Sequence, residues 1–389
     1  MAESLEKSSA FLDYYQTEEI IPVSPKSFDK SIHFAQRDAL YRSCGIIPSW
    51  VKNKRVFEVG IGTGHNALFT YSLKPSQYVL LDGHMLSIEH THQNLSEYFG
   101  QHSAQLVHSD FLRFESEERF DLVLCEGVIP FQQHPNSFAQ KLGGFVAPGG
   151  VLLVTAISAS SFLSELLRRI LAGMCLQELD KVHGTTQEKL DILLPFFEPH
   201  LVTLKGMTRK HQDWLLDNIL HPFEGEVWGI REAVHALSED FSFYHASPDF
   251  MTDWRWYKEK ISDLDSEVKR VTERYEQNLL NFMDYRHVYA DIPQEVGQKI
   301  EKLSLSIYQL SKANLTTHWQ QNQQLLPLLT QLATQLRCLD KPLAILDSLI
   351  SMIEAFKAYQ CQQKDWKKKL TQFEDWFGRG MSYISFIKN

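Results

Sequence analysis

Val56-Phe57-Glu58-Val59-Gly60-Ile61-Gly62-Thr63-Gly64 is the stretch that decides how this chain is read. Val56, Phe57 and Val59 form a short apolar, β-prone run. The three glycines that follow permit a tight turn where side chains would obstruct a ligand. A helix can start directly after it, over His65 to Leu73, so its free backbone N–H groups would face whatever the glycines admit. A glycine turn alone is a weak signal, since such turns also join ordinary strands to helices. The downstream sequence adds to it. Tyr78 to Leu81 reads as a second strand ending in Asp82, about twenty residues past the first glycine, where a nucleotide-binding unit places an acid for ribose hydroxyls. Leu106 to His108 is a third strand, running into Ser109-Asp110-Phe111. Phe120 to Cys125 is a fourth, followed by Glu126-Gly127. Ala147-Pro148-Gly149-Gly150 is a turn that launches a fifth over Val151 to Ile157. In an open parallel sheet, ligands sit at the carboxyl ends of such strands.

Taken together, Glu58 to Gly64, Asp82, Ser109-Asp110, Phe120-Asp121-Leu122-Val123 and Pro148-Gly149-Gly150 resemble the ordered motifs of class I S-adenosylmethionine-dependent methyltransferases, over about residues 50 to 160. A dinucleotide fold would more often show Gly-x-Gly-x-x-Gly, whereas His65 stands where its last glycine would be. The resemblance implies an α/β, Rossmann-like doubly wound sheet of seven mostly parallel strands in the order 3-2-1-4-5-7-6. It also implies S-adenosyl-L-methionine as cofactor. Its cofactor-binding residues would be Glu58, Gly60, Ile61, Gly62, Gly64, Asp82, Gly83, Met85, Ser109, Asp110, Phe111 and Glu126. By that resemblance Glu58 orders the glycine loop and the cofactor's amino-acid end, and Asp82 accepts both ribose hydroxyls. Asp110 would accept from the adenine amino group, Phe111 would offer its backbone N–H, and Met85 would pack on the ring.

The loop from Cys125 to Pro135 follows the fourth strand, and in the resembling family it lies beside the transferable methyl group. Methyl transfer is an in-line displacement, so an amine or hydroxyl acceptor needs its proton removed or its lone pair aligned. Glu126 and His134 are therefore the candidate catalytic residues. Each has a plainer alternative: Glu126 as holder of the cofactor's ammonium group, and His134 as a cap for the next helix. His90 and His92 are two apart and point to different helix faces, which argues against a metal site.

The expected domains are an N-terminal helical cap over residues 1–50, a methyltransferase core over 51–253 with a helical lid at about 160–235, a helical bundle inserted over 254–376, and a last strand over 377–389. The cap includes Tyr14, Tyr15, a turn near Pro22 to Pro25 and a helix from about Phe28 to Arg42. Phe162 to Leu176, with Arg168-Arg169, reads as an amphipathic helix. His211, Trp214 or Leu215, and Asn218 recur at helical spacing, as a lid or as a helix at a domain junction. Phe241 to His245 and Tyr383 to Ile387 are the expected sixth and seventh strands. Between them Trp254, Tyr257, Ile261, Leu264, Val268, Val271, Tyr275 and Phe282 suggest one long helix with a narrow apolar seam. Further helices are expected over Val296 to Leu310, Leu325 to Leu339, Leu343 to Ala358 and Trp366 to Phe377, with a break at Asp340-Lys341-Pro342. Their seams can satisfy one another as a bundle or pair between molecules, the latter making a homodimer through the helical region.

The chain has 389 residues, 43% of them hydrophobic, and a net charge of −9. That charge argues against a nucleic-acid partner and toward a small molecule, a sugar derivative or a protein side chain as acceptor. Five scattered cysteines without a Cys-x-x-Cys pair suit a reducing cytoplasm and no metal. The segment Met1 to Lys7 lacks the apolar core of a secretory signal. The uncharged windows Leu142 to Ser164 and Leu315 to Leu336 carry glycine, proline or many glutamines, so no membrane partner is expected. The expected activity is transfer of a methyl group to an N or O atom. The alternative is a non-catalytic binding or scaffold protein that uses the same fold to present its helical region.

Overall fold

The computed structural model describes residues 14, 17, 28–207, 209–222, 225–260, 264–312, 317–339 and 343–389. Tyr15, the turn near Pro22 to Pro25, Ile261 and the break at Asp340 to Pro342 lie outside them. The chain forms two compact units, one of residues 1–157, 222–275 and 381–389, the other of 158–221 and 276–380. These divisions differ from the expected domains, because residues 158–221 group with the later helices and not with the sheet.

The first unit is built on β1 (Arg55–Val59), β2 (Gln77–Asp82), β3 (Gln105–His108), β4 (Phe120–Cys125), β5 (Val146–Ala156), β6 (Phe241–Ser247) and β7 (Ser382–Lys388). They form one seven-stranded sheet in the order β3-β2-β1-β4-β5-β7-β6. β1 to β5 pair in parallel, while β7 lies antiparallel to both β5 and β6. The strand order is the one expected. β5 begins earlier than expected, at Val146, so that Pro148-Gly149-Gly150 makes an irregularity inside the strand, with Gly149 at φ +70.

Side chains alternate across the pleat, so each strand serves two layers. On one face Val56, Leu80, Leu122, Leu124 and Leu153 are buried with Tyr41, Leu68 and Leu95. Tyr41 belongs to α1 (Lys30–Ser43), Leu68 to α2 (His65–Ser72) and Leu95 to α3 (Met85–Phe99). On the other face Phe57 packs on Phe114, Phe120 and Phe145, at ring distances of 5.6, 5.1 and 5.3 Å. α4 (Pro135–Gly144) and α8 (Ile230–Leu237) cover that layer. Asp29 caps α1, its carboxylate accepting from the N–H groups of Ser31 and Ile32.

The second unit contains α5 (Leu163–Glu178), α6 (Thr186–Leu201), α7 (His211–Leu215), α10 (Leu279–Met283), α11 (Gln294–Ser311), α12 (Leu325–Arg337) and α13 (Ala344–Gln360). α5 is not amphipathic. Every residue from Leu163 to Leu176 is buried, including Arg168 and Arg169. Both arginines reach carbonyls where neighbouring segments end. Arg168 donates to the carbonyls of Trp376 and Glu374 at 2.8 and 3.0 Å and lies 3.6 Å above the Phe377 ring. Arg169 donates to those of Asn218 and His221 at 3.1 and 2.8 Å. A buried guanidinium is tolerated because its fixed fork of donors satisfies carbonyls left over by the turn around Glu374 to Trp376 and by the helical segment ending near His221.

Two expected helices are shorter. The seam from Trp254 to Phe282 is divided between α9 (Leu264–Gln277) and α10, which holds Phe282, while residues 251–260 form only one short turn at Tyr257–Glu259 and leave Trp254 92% exposed. There Asp253 accepts from the backbone N–H and the guanidinium of Arg255, a local turn that competes with helix. The stretch from Trp366 is a single tight turn over Trp366–Leu370.

Candidate functional site

The parallel strands bring their carboxyl ends to one edge of the sheet, and the polar loops found in the sequence meet there. β1 ends at Val59, and the chain then turns through Gly60, Gly62 and Gly64, all at positive φ. Two of these need glycine for different reasons. At Gly60 a Cβ would fall 2.1 Å from Val128 Cγ2, a steric collision. At Gly62 a Cβ would meet nothing within 4 Å, so glycine there answers to its φ of +53 and leaves the loop's outer side open.

Asp82, at the tip of β2, braces this loop. Its Oδ2 accepts from the Gly62 N–H at 3.2 Å and its Oδ1 from the His84 N–H at 2.8 Å. Burial raises its pKa, and those backbone donors work against the rise. The Ile61 N–H is a third backbone donor to this carboxylate, whose remaining acceptor capacity can take a sugar hydroxyl. Gly83 follows, its carbonyl accepting from His108 Nε2 at 3.1 Å. Met85 opens α3 and is 46% exposed.

At the tip of β3, Ser109 donates its N–H to the Asp82 carbonyl at 3.1 Å, which joins the β2 and β3 loops. Asp110 Oδ1 accepts from the Leu112 N–H at 2.9 Å and closes a turn. The Phe111 ring points away into the lower layer, 4.7 Å from the Phe138 ring. Ile61, only 6% exposed, likewise packs in the core.

Glu58 is buried in β1 and accepts a hydrogen bond from the Tyr78 hydroxyl. Burial, then the neighbouring Glu126 carboxylate, push its pKa up to about 7. Glu126, at the tip of β4, is gripped by an arginine that sequence reading did not single out. Arg37 of α1 donates from Nη1 to Oε2 at 2.8 Å and from Nη2 to Oε1 at 2.5 Å, an end-on bidentate pair. Asn66 of α2 adds a contact to Oε2 at 3.3 Å. The side chains of Arg37 and Glu126 are only 5% and 9% exposed. Burial opposes the Arg37 charge, but the Glu126 carboxylate outweighs it and raises the guanidinium well above its ordinary value. Tyr383 of β7 belongs to the same neighbourhood, its hydroxyl pushed up by burial and then by Glu126.

His134 stands apart from this network. It is exposed and precedes α4, and its side chain makes no capping hydrogen bond. Thus Asp82 is hydrogen-bonded to the glycine loop and Glu126 lies close enough to Glu58 to raise its pKa, whereas no hydrogen bond among the described residues joins His134 to any of them. Arg37 left no trace in the sequence, since its partner lies 89 residues away and no motif links them. His90 and His92 are exposed on α3, and no group of three metal-binding side chains occurs among the described residues.

Residues 57–154 match the family model described as a methyltransferase domain. The chain is also similar to a tRNA1(Val) (adenine(37)-N6)-methyltransferase of Vibrio campbellii (strain ATCC BAA-1116), 32% identical over 100 residues. That match covers 24% of this chain and 42% of the relative, so the chain spans less than half the length of the curated relative it matches. Among solved structures, PKMT2 from Rickettsia typhi in complex with AdoHcy is 17% identical with a TM-score of 0.40, covering 64% of this chain and 52% of that one. The N-methyltransferase NodS from Bradyrhizobium japonicum WM9, in complex with S-adenosyl-L-homocysteine, is 18% identical with a TM-score of 0.30, covering 37% and 74%.

Proposed function

Starting from the class I S-adenosylmethionine-dependent methyltransferase superfamily, to which the domain over residues 57–154 belongs, we propose that this chain transfers a methyl group from S-adenosyl-L-methionine to a nitrogen or oxygen atom of an acceptor. The observation that carries the reading is Asp82. It is buried at a strand tip and pinned by the N–H groups of Gly62 and His84, with acceptor capacity left over beside an open glycine turn. A sugar diol fits that valence better than a phosphate, which a carboxylate would repel.

The remaining roles follow from position. The loop from Gly60 to Gly64, with Ile61 beneath it, bounds the donor's amino-acid end, and Glu58 supports that loop from below. Asp110 retains one carboxylate oxygen for an exocyclic amine, since Oδ1 is already used by Leu112. Ser109 fixes Asp110 against the β2 loop, Phe111 offers its backbone N–H, and the exposed Met85 lies where a flat ring passes Gly83. When bound, the cofactor supplies an electrophilic methyl group whose leaving group is a neutral thioether. The protein must then bind, align and deprotonate.

Glu126 is not a free base, because Arg37 occupies both its oxygens. Its share is therefore electrostatic, holding the donor's ammonium group so that the methyl is fixed for in-line displacement. His134, exposed and without a side-chain cap bond, is the candidate to accept the proton that the acceptor loses. The relative's name specifies a nitrogen of adenine in tRNA. A nucleic-acid base therefore stands beside small molecules, sugar derivatives and protein side chains as a candidate acceptor, since net charge alone does not bar a local nucleic-acid contact.

The test is calorimetry with S-adenosylhomocysteine. We expect saturable binding by the native chain and a loss of about tenfold to a hundredfold for Asp82→Ala, the scale of hydrogen bonds to a charged group. Absence of binding, or equal binding by the variant, removes the proposal.

A further inference from the structure

The Arg37 guanidinium has five N–H donors, and the observed pairing uses its two terminal nitrogens on one carboxylate. Its Nε is buried and finds no acceptor among the described residues. An enclosed donor without a partner is unfavourable, and a buried ion pair gains little over water unless all its groups are satisfied. Arg168 Nε is orphaned in the same way, so what sets Arg37 apart is that its spare donor lies beside a strand-tip carboxylate. The pair also sits at a telling place. Asp82 and Glu126 end β2 and β4, which flank β1 in the sheet. At the spacing of neighbouring strands this puts them about 10 Å apart, the order of the span from the ribose of an adenosyl amino acid to its amino-acid end.

We propose that Arg37 is a positioning residue for the methyl donor, and that its ion pair with Glu126 is a stand-in which the donor's zwitterionic end replaces. The proposal rests on the methyltransferase reading. The donor's ammonium takes the place of the guanidinium on Glu126. Arg37 turns to the donor's carboxylate, which also supplies an acceptor for Nε. One internal pair becomes two pairs with the ligand, and no buried charge is left alone. Because Nε is enclosed while the terminal nitrogens pair with Glu126, this exchange requires the guanidinium to move. α1 would then be gripped through the ligand, so donor binding and seating of α1 are linked.

The experiment compares two ligands on the full chain by calorimetry: S-adenosylhomocysteine, and methylthioadenosine, which has the same nucleoside and sulfur but no amino-acid end. The native chain is expected to prefer S-adenosylhomocysteine. Arg37→Gln should weaken it by about tenfold to a hundredfold while changing methylthioadenosine binding by less than about twofold. Arg37→Lys should recover part of the loss, since it keeps the charge without the planar fork. An equal loss for both ligands would make Arg37 a purely structural residue and overturn the proposal, as would no loss for either. If Arg37→Gln fails to fold, the native chain still decides. Its affinity for S-adenosylhomocysteine against the decarboxylated analogue should differ by about tenfold or more, and equal affinities overturn the proposal. Native binding of methylthioadenosine with no preference for the amino-acid end sinks this inference alone, whereas binding of neither ligand sinks the methyltransferase reading itself.

Discussion

With its carboxyl raised to about 7 by burial and by Glu126, Glu58 gives the protein a defined pH response. The folded state binds its proton more tightly than the unfolded chain does, so the contribution to stability is complete below the ordinary value of 4.5. It is lost as pH rises toward about 7. The loss is on the order of 3 kcal/mol. Glu58→Gln retains an acceptor for the Tyr78 hydroxyl and has nothing to titrate. Its melting temperature should therefore fall less than that of the native chain across this window. Parallel curves would show that Glu58 does not carry the effect. At this scale the sequence was informative where chemistry is local: Asp82 and the glycines lie at spacings set by a strand, a turn and a helix. Arg37 was invisible because α1 meets β4 only after the sheet forms, and nothing around Arg37 distinguishes it from a surface arginine.

Among the elements, α5 shows how a helix can be misread. Two adjacent arginines in an apolar run suggest a solvent-facing stripe, yet both side chains turn inward to backbone carbonyls of a turn and of a helical end. Burial pulls Arg168 down to about 10, so it remains charged near neutrality. Arg168→Leu would strand the carbonyls of Trp376 and Glu374 and leave the buried Glu165 without its nearby cation. We expect a loss of about 3 kcal/mol in denaturant unfolding; a change below about 0.5 kcal/mol, the surface-substitution range, would contradict the role assigned to it. The strands were legible because alternation and apolar runs are dictated by the pleat. The stretch from Trp254 was not, since its spacing fits a helix while Asp253 and Arg255 close a turn that outcompetes one.

For the molecule as a whole, the two units interleave along the chain, each assembled from separated segments. Hydrogen exchange should reveal them as distinct in their response to ligand. S-adenosylhomocysteine is expected to slow exchange at residues 58–64, 82–85 and 109–111 and to leave residues 163–176 unchanged. Uniform protection of both sets would refute a site confined to the sheet's edge. The order of strands carries one more implication. β7 lies between β5 and β6 and bonds to both, although residues 276–380 separate it in sequence from the rest of the sheet unit. A ribosome therefore delivers β5 and β6 long before the strand that joins them. Until then two lines of backbone groups stand open as templates for misplaced pairing. Contacts of such long range are slow to close. Synthesis rate and chaperone supply should consequently limit the yield of native protein more than the equilibrium stability of the finished sheet does.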